Sequence, residues 1–418
     1  MKLSQRITAF AMLGVMVVCM SGYMSVFLEG LNRLGLISYA LVEIRETGID
    51  EPLNEQEDPV KKSQGFLSFK NKVENQFNRI AFKQALIELS ASVNRIVGKR
   101  LIIDVNESKT VVKLKNGHLT SIRSTPSVQI EEYAQNVIDL YENLTAQGIE
   151  VLYANMPFKI DKYDDQLPDG IVDYTNSDAD RLLEILCQNM IPTVDFREEI
   201  RQVGLNHYEQ FFYTDHHWTP ETGLWAAGVL MNNHLPKYRH TSSIELYEIE
   251  NYTVATYEKT FLGSYGRRTG FSYAGADDIS IITPKFNSDL QVSVPSNKYS
   301  EIGDFSETII DVNIISGDFF DNDPYGAYVG GNASAQIKND NGNGYVCVVI
   351  GDSFSRVLIP FIALDFSEVH RYDSREMSEE ITAYEYIEMH KPDVVIVMYN
   401  PSVLERPEMF DFGEAPAN

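Results

Sequence analysis

An alternation of helical and strand patterns, occurring twice in the chain, constrains its fold more than any other feature. Residues 128–146 carry apolar residues at helical spacing, 148–154 read as a strand, 178–190 as a helix capped by Ser177, and 192–196 as a strand. The pattern returns as a strand at 345–350, a helix at 355–363, a strand at 366–371, a helix at 379–390 and a strand at 393–398. Alternation of this kind predicts an α/β fold with a mainly parallel sheet sandwiched by helices. Between the two halves, residues at about 236–340 are rich in Thr, Ser, Tyr, Gly and Asn with β-type runs, and read as a β-rich insertion.

Before this core the chain has three further parts. Ile7 to Leu28 contains no charged residue and follows Lys2 and Arg6, so residues 1–30 predict a single-pass transmembrane helix with its N-terminus cytoplasmic and the remainder extracytoplasmic. A cleaved signal peptide is the competing reading. Residues 31–65, with Glu51-Pro52 and Asp58-Pro59, read as a stalk, and 66–125 as a lead-in. In the lead-in Val73, Phe77, Ile80, Leu86, Leu89, Val93 and Ile96 predict a helix ending at Gly98, and Thr110 to Lys115 followed by Asn116-Gly117 predicts a β-hairpin. The main domain then covers 126–405, and 406–418 form a tail. With 35 Lys plus Arg against 60 Asp plus Glu, a formal charge of -25, the chain lacks the basic patch a nucleic-acid partner requires. Three cysteines, one of them inside the apolar run, predict no disulfide framework.

Two short strings carry the chemistry. Val348-Val-Ile-Gly-Asp-Ser-Phe-Ser355 places Ser353 on a strand-to-helix turn, where a hydroxyl is exposed beside free backbone N–H groups. The amide of Ser353 can itself donate to an oxyanion. Tyr213-Thr-Asp-His-His-Trp218 supplies an acid and an imidazole two residues apart, which face the same way if the backbone is extended. Asp215 would then fix the tautomer of His217, the expected base, while His216 points away. Thr219 and Pro220 predict a helix start that holds the pair. A metal centre is the rival reading of Asp215, His216 and His217, but adjacent histidines diverge and no further His or acid cluster completes a set, so no metal is expected.

The two strings and their order resemble the DHHW family of bacterial envelope proteins, and the related alginate O-acetylation proteins with an SGNH-hydrolase-like domain. Phe69-Lys-Asn-Lys-Val-Glu-Asn-Gln-Phe-Asn-Arg79, Asn155-Met-Pro-Phe-Lys159, Tyr325-Gly-Ala-Tyr-Val-Gly-Gly-Asn332 and Tyr372-Asp-Ser-Arg-Glu-Met377 extend the resemblance over about residues 66–400. The resemblance implies an SGNH-hydrolase-like (flavodoxin-like) sheet in circularly permuted order, with Ser353 as nucleophile, His217 as base and Asp215 as its partner. It also points to Asn400 as an oxyanion donor and to Arg375, Tyr213 and Trp218 as substrate contacts.

The activity so implied is O-acetylation of an exported cell-surface or extracellular polysaccharide through an acyl-serine, with acetyl groups supplied by a membrane-bound O-acyltransferase and no cofactor of the chain's own. Two alternatives use the same residues differently: a carbohydrate esterase handing the acyl group to water, and a non-catalytic polysaccharide assembly or binding protein of the envelope.

Overall fold

The computed structural model describes residues 83–104, 109–240, 245–294, 299–315, 319–320, 322–329, 334–377 and 379–415. The expected transmembrane segment, the stalk and the first part of the lead-in lie outside these residues. Among the described residues no helix is long and apolar enough to cross a membrane.

The lead-in forms α1 (Lys83–Ile96) and a three-stranded antiparallel sheet of β1 (Leu101–Ile102), β2 (Val111–Lys113) and β3 (Leu119–Thr120). The hairpin expected at Asn116-Gly117 joins β2 to β3, with Gly117 N–H donating to the Leu114 carbonyl and Asn116 Oδ1 accepting from His118 N–H.

The main body alternates as anticipated. It runs through α2 (Ile130–Ala146), β4 (Glu150–Asn155), α3 (Thr175–Gln188), β5 (Thr193–Asp195), α4 (Phe196–Gln202) and α5 (Pro220–Val229). Then follow β6 (Tyr252–Phe261), β7 (Asp277–Pro284), β8 (Leu290–Val294), β9 (Tyr299–Gly303) and β10 (Gln336–Asn339). The chain finishes with β11 (Val346–Gly351), β12 (Glu368–Tyr372), α6 (Ala383–His390) and β13 (Val394–Tyr399).

Eight strands build one mixed sheet in the order β5-β4-β13-β11-β12-β10-β8-β9. The first five are mutually parallel, and β10, β8 and β9 each pair antiparallel. Counted from β11, the parallel part runs 2-1-3-4-5, the flavodoxin-like order, whose ligand crevice opens at the carboxyl ends of strands 1 and 3. Here those are β11 and β13.

Period two explains why the central strands read as unbroken apolar runs. Cys347 and Val349 of β11, Val394 and Ile396 of β13, and Leu152 of β4 enter one core cluster; Val348, Ile350, Val395, Val397 and Val151 enter the other. On the second face α2 supplies Ile130, Tyr133, Ala134 and Val137, a helical stripe.

The structure corrects several boundaries. The β-rich segment expected as an insertion at about 236–340 is divided: β6 and β7 form a separate two-stranded sheet, but β8, β9 and β10 extend the main sheet. Their alternation buries Leu290, Val292, Val294 and Ile337 against the same core. The stretch read as a tail is packed, with Met409, Phe410 and Phe412 buried and Phe410 stacked 4.4 Å from Tyr133. The helix expected at 355–363 is a 3-10 turn, Ser353–Val357, followed by a short helix, Ile359–Ile362, because Asp352 caps the turn at Phe354 N–H. Helix α3 starts before Ser177, whose hydroxyl bonds the Tyr174 carbonyl instead of capping.

Candidate active site

Ser353 stands at the carboxyl end of β11, the crevice strand. Its turn is fixed from beneath. Asp352 accepts Phe354 N–H through Oδ1 at 2.9 Å and Asn400 N–H through Oδ2 at 2.7 Å, tying the turns after β11 and β13 together. From β12 the buried Arg371 donates to Ser355 Oγ at 2.8 Å, to the Asp352 carbonyl at 3.1 Å and to Asp373 at 2.9 Å. Desolvation brings this guanidinium down to about 10, opposed by Asp373.

The loop 211–218 arrives from the other end of the sheet, between α4 and α5. Thr219 caps α5 at Thr222 N–H and Pro220 opens it, as expected. Helix α5 then lies against the serine turn at Gly223, where a Cβ would sit 2.4 Å from the Val357 carbonyl oxygen, so only glycine permits this approach. Trp218, fully buried, donates its indole N–H to the Phe354 carbonyl at 3.0 Å. These two contacts bring strings 136 residues apart into register.

The result is a hydrogen-bonded relay. Ser353 Oγ–H donates to His217 Nε2 at 2.7 Å, and His217 Nδ1–H donates to Asp215 Oδ1 at 2.5 Å. All three side chains are buried, and the His217 ring stacks on Tyr325 with centroids 3.9 Å apart. Burial alone would raise the Asp215 carboxyl, but the charges of His216 and His217 and the hydrogen bonds from His217 and Ser264 N–H hold it well below the usual carboxylate range.

Residues 120–270 match the family model described as SGNH hydrolase-like domain, acetyltransferase AlgX. Over those residues the chain is similar to the SGNH hydrolase-like domain of AlgX. The matched stretch includes Asp215 and His217 and ends before Ser353. In fold, the chain is similar to Bacillus cereus PatB1 solved with a sulfonyl adduct, at TM-score 0.59 and 19% identity over 75% of this chain and 99% of that one. It is also similar to a DHHW family protein from Eubacterium siraeum, at TM-score 0.56 and 17% identity over 76% of this chain and 98% of that one. No curated protein matches the chain.

The remaining expected site residues are each engaged by neighbours, Asn400 at the carboxyl end of β13 included. Asn400 Nδ2 donates to the Pro157 carbonyl at 2.7 Å and its Oδ1 accepts Ser402 N–H at 3.0 Å, so the amide caps and ties loops. Arg375 grips Asp373 through two nitrogens at 2.8 and 2.5 Å. Trp218 is core. Tyr213 is exposed, with one ring face stacked on His118 at 3.9 Å.

His216 does not point away. The loop is bent instead of extended, with His217 N–H folding back onto Asp215 Oδ1, so the alternation of a strand is lost. His216 lies 3.7 Å, ring centroid to ring centroid, from His217 and bonds Ser264 Oγ at 3.0 Å. Desolvation and the neighbouring His217 push it below the ordinary imidazole range. Ligand-type atoms of Asp215, His216 and His217 come within 4.8 Å of one another. Both His217 nitrogens are already engaged in the relay, and a cation there would have to displace those bonds.

Sequence reasoning missed the clamp that holds the loop. Buried Lys159, just past β4, donates to the carbonyls of Tyr213, at 3.1 Å, and of Asp215, and lies over the Tyr265 ring. Desolvation brings its ammonium down to about 7, against the pull of Asp277 and Asp215. Asp277 of β7 accepts Tyr213 N–H, Thr214 N–H and the Thr214 hydroxyl. A cation on the carbonyls and an anion on the amides thus satisfy a loop that is neither helix nor strand. A lysine four residues after an apolar strand was the one visible signal; Asp277 and Arg371 left none.

Proposed function

We propose that this protein is a serine O-acetyltransferase acting on an exported cell-surface or extracellular polysaccharide. The observation that carries the reading is the continuous relay Ser353–His217–Asp215 at 2.7 and 2.5 Å. In it His217 Nε2 takes the hydroxyl proton as Ser353 Oγ attacks an acetyl ester. The proton then passes to the departing alcohol, leaving acetyl-Ser353; a sugar hydroxyl deprotonated by His217 attacks this ester and regenerates the serine. Asp215 holds the productive tautomer and balances the imidazolium.

Three supports stand behind the choice of reaction. The matching family model is that of an acetyltransferase, the fold neighbour PatB1 carries a sulfonyl adduct, and sulfonyl reagents are the class that a nucleophilic serine consumes. The chain order, Asp215 and His217 before Ser353, we read as a circular permutation of the parent sheet, since counting from β11 restores the order 2-1-3-4-5. Residues 7–28 would anchor the domain at the outer membrane surface beside a membrane-bound O-acyltransferase that supplies the acetyl group. Tyr213 keeps one ring face free for a sugar.

The test is covalent. Full-length protein treated with a sulfonyl fluoride or an activated acetyl ester should gain one adduct on the peptide containing Ser353, and Ser353→Ala should gain none. An adduct on another residue, or one surviving Ser353→Ala, removes Ser353 as nucleophile. Mass spectrometry of oligosaccharide acceptors against acetate release then separates transfer from hydrolysis.

A further inference from the structure

Asn400 gives one Nδ2–H to the Pro157 carbonyl and accepts Ser402 N–H at its Oδ1, so its amide is held by the loops it ties and offers at most one neutral N–H to an oxyanion. The Ser353 N–H opens the 3-10 turn and so has no carbonyl behind it to satisfy. A charged donor on the same side of that turn would meet the developing oxyanion more strongly than a neutral amide. Residues three apart eclipse one another along a 3-10 helix, and three residues after Ser353 comes Arg356.

This arginine is unlike the other inward-facing ones. Arg123, Arg197, Arg371 and Arg375 each hold a carboxylate at 2.5–2.9 Å. Arg356 has no carboxylate partner among the described residues, and its Nε–H is buried without a hydrogen-bond acceptor. In a chain of formal charge -25, an unpaired guanidinium three residues after the serine on the same 3-10 turn is not explained by its surroundings. Its position is bracketed by two neighbours that feel its charge. It opposes the rise that burial imposes on the Tyr325 hydroxyl, whose ring stacks on His217, and adds to the desolvation that lowers Arg371 beneath the serine turn.

We propose that Arg356 is a catalytic residue: its guanidinium, together with the Ser353 N–H, donates to the oxyanion formed when Ser353 attacks an acyl ester. This rests on the reading of Ser353 as nucleophile. As Oγ bonds to the carbonyl carbon, the proton moves to His217 Nε2 and the carbonyl π pair moves onto oxygen; the guanidinium meets that charge. When the pair returns, the ester C–O bond breaks and the alcohol leaves with the His217 proton. A charged donor in a water-poor crevice stabilises the developing anion far more than the neutral ester.

The experiment uses full-length protein and p-nitrophenyl acetate, a small ester with no anionic group, with thermal unfolding as the check on folding. Because its Nε–H is already unsatisfied, replacing Arg356 by Met costs folding little. Arg356→Met should lower kcat by about 10²–10³-fold with KM within about twofold, the size expected for one oxyanion donor. Arg356→Lys, keeping the charge but not the two-pronged geometry, should fall between it and the parent. Parent rates in Arg356→Met overturn the proposal, including the case in which only transfer to a sugar acceptor suffers, since the guanidinium would then bind the acceptor. Should Arg356→Met not fold, a parent rate in Arg356→Lys overturns it instead. Ser353→Ala run alongside separates the two failures: activity retained there removes the nucleophile itself, whatever Arg356 does.

Discussion

Replacing Gly263 by alanine strikes the relay through its acid without touching any of its three side chains. Gly263 has ordinary dihedrals, φ -68 and ψ 178, so alanine suffers no backbone penalty there. Its Cβ, however, would lie 2.2 Å from Asp215 Cβ and 2.6 Å from Asp215 Cα and N. Non-bonded carbons settle at about 3.5–4.0 Å, so the two segments must part by more than about 1 Å. Neither yields freely. Gly263 N–H is held by Thr214 Oγ1 at 2.8 Å, Ser264 N–H by Asp215 Oδ2 at 2.5 Å, and the Asp215 carbonyl by Lys159. A shift of that size stretches the 2.5 Å bond between Asp215 and His217 to a length at which it no longer orients the ring. The expected loss is about 10²-fold in turnover per folded molecule, with about 1–3 kcal/mol of stability. The assay is kcat for p-nitrophenyl acetate together with active-site titration by a sulfonyl fluoride and a thermal melt. Gly228→Ala is the control: its Cβ meets Tyr247 Cβ at 2.8 Å, away from the relay, and should cost stability alone. Turnover at the parent level in folded Gly263→Ala would refute the idea that the corner at residues 261–264, just past β6, sets the position of Asp215.

Two further outcomes follow from the same geometry. Asp215→Asn should fold yet lose about 10⁴-fold in kcat, because the carboxylate accepts from three donors, His217 N–H, His217 Nδ1–H and Ser264 N–H, and an amide NH2 would face one of them; an unchanged kcat excludes Asp215 from the mechanism. Acid should destabilise the fold through His118 and His370, which burial, aided by Lys159 and by His390 respectively, holds at about 3 and about 4. Both are depressed below the unfolded value near 6.5, so the folded state binds fewer protons: stability is full above that value and is lost as pH falls from it toward 4, at up to about 1.4 kcal/mol per unit for each group. Urea titrations of His118→Phe/His370→Phe against the parent between pH 7 and 4 should show a flatter curve; identical slopes would mean these rings are not neutral in the fold.

Much was readable from residue order because it depends on local periodicity. The unbroken apolar runs of β11 and β13, the amphipathic stripe of α2 and the Asn116-Gly117 turn each announce themselves within a few residues, and the parallel core follows from their alternation. Ser353 after such a run, and an acid beside histidines before a capped helix, likewise marked the chemistry. Strand partners did not show in the same way. That β8 and β10 join the main sheet is decided by which apolar face they bury, a property of the assembled core, while β9, with Ile302 exposed, is held by its pairing with β8.

The chain's one-dimensional order therefore marked the groups that meet in the relay, since the kinds of side chain and their local spacing fix what each segment can do alone. Their working arrangement came only from three-dimensional packing. Gly223 against Val357, Trp218 on Phe354, and the Lys159 and Asp277 clamp are contacts between segments remote in sequence. Packing also engaged Asn400, Arg375 and Trp218 with neighbours and left Arg356 without a carboxylate partner among the described residues. Burial and charge compensation depend on every neighbour at once, and only the folded chain assembles those neighbours.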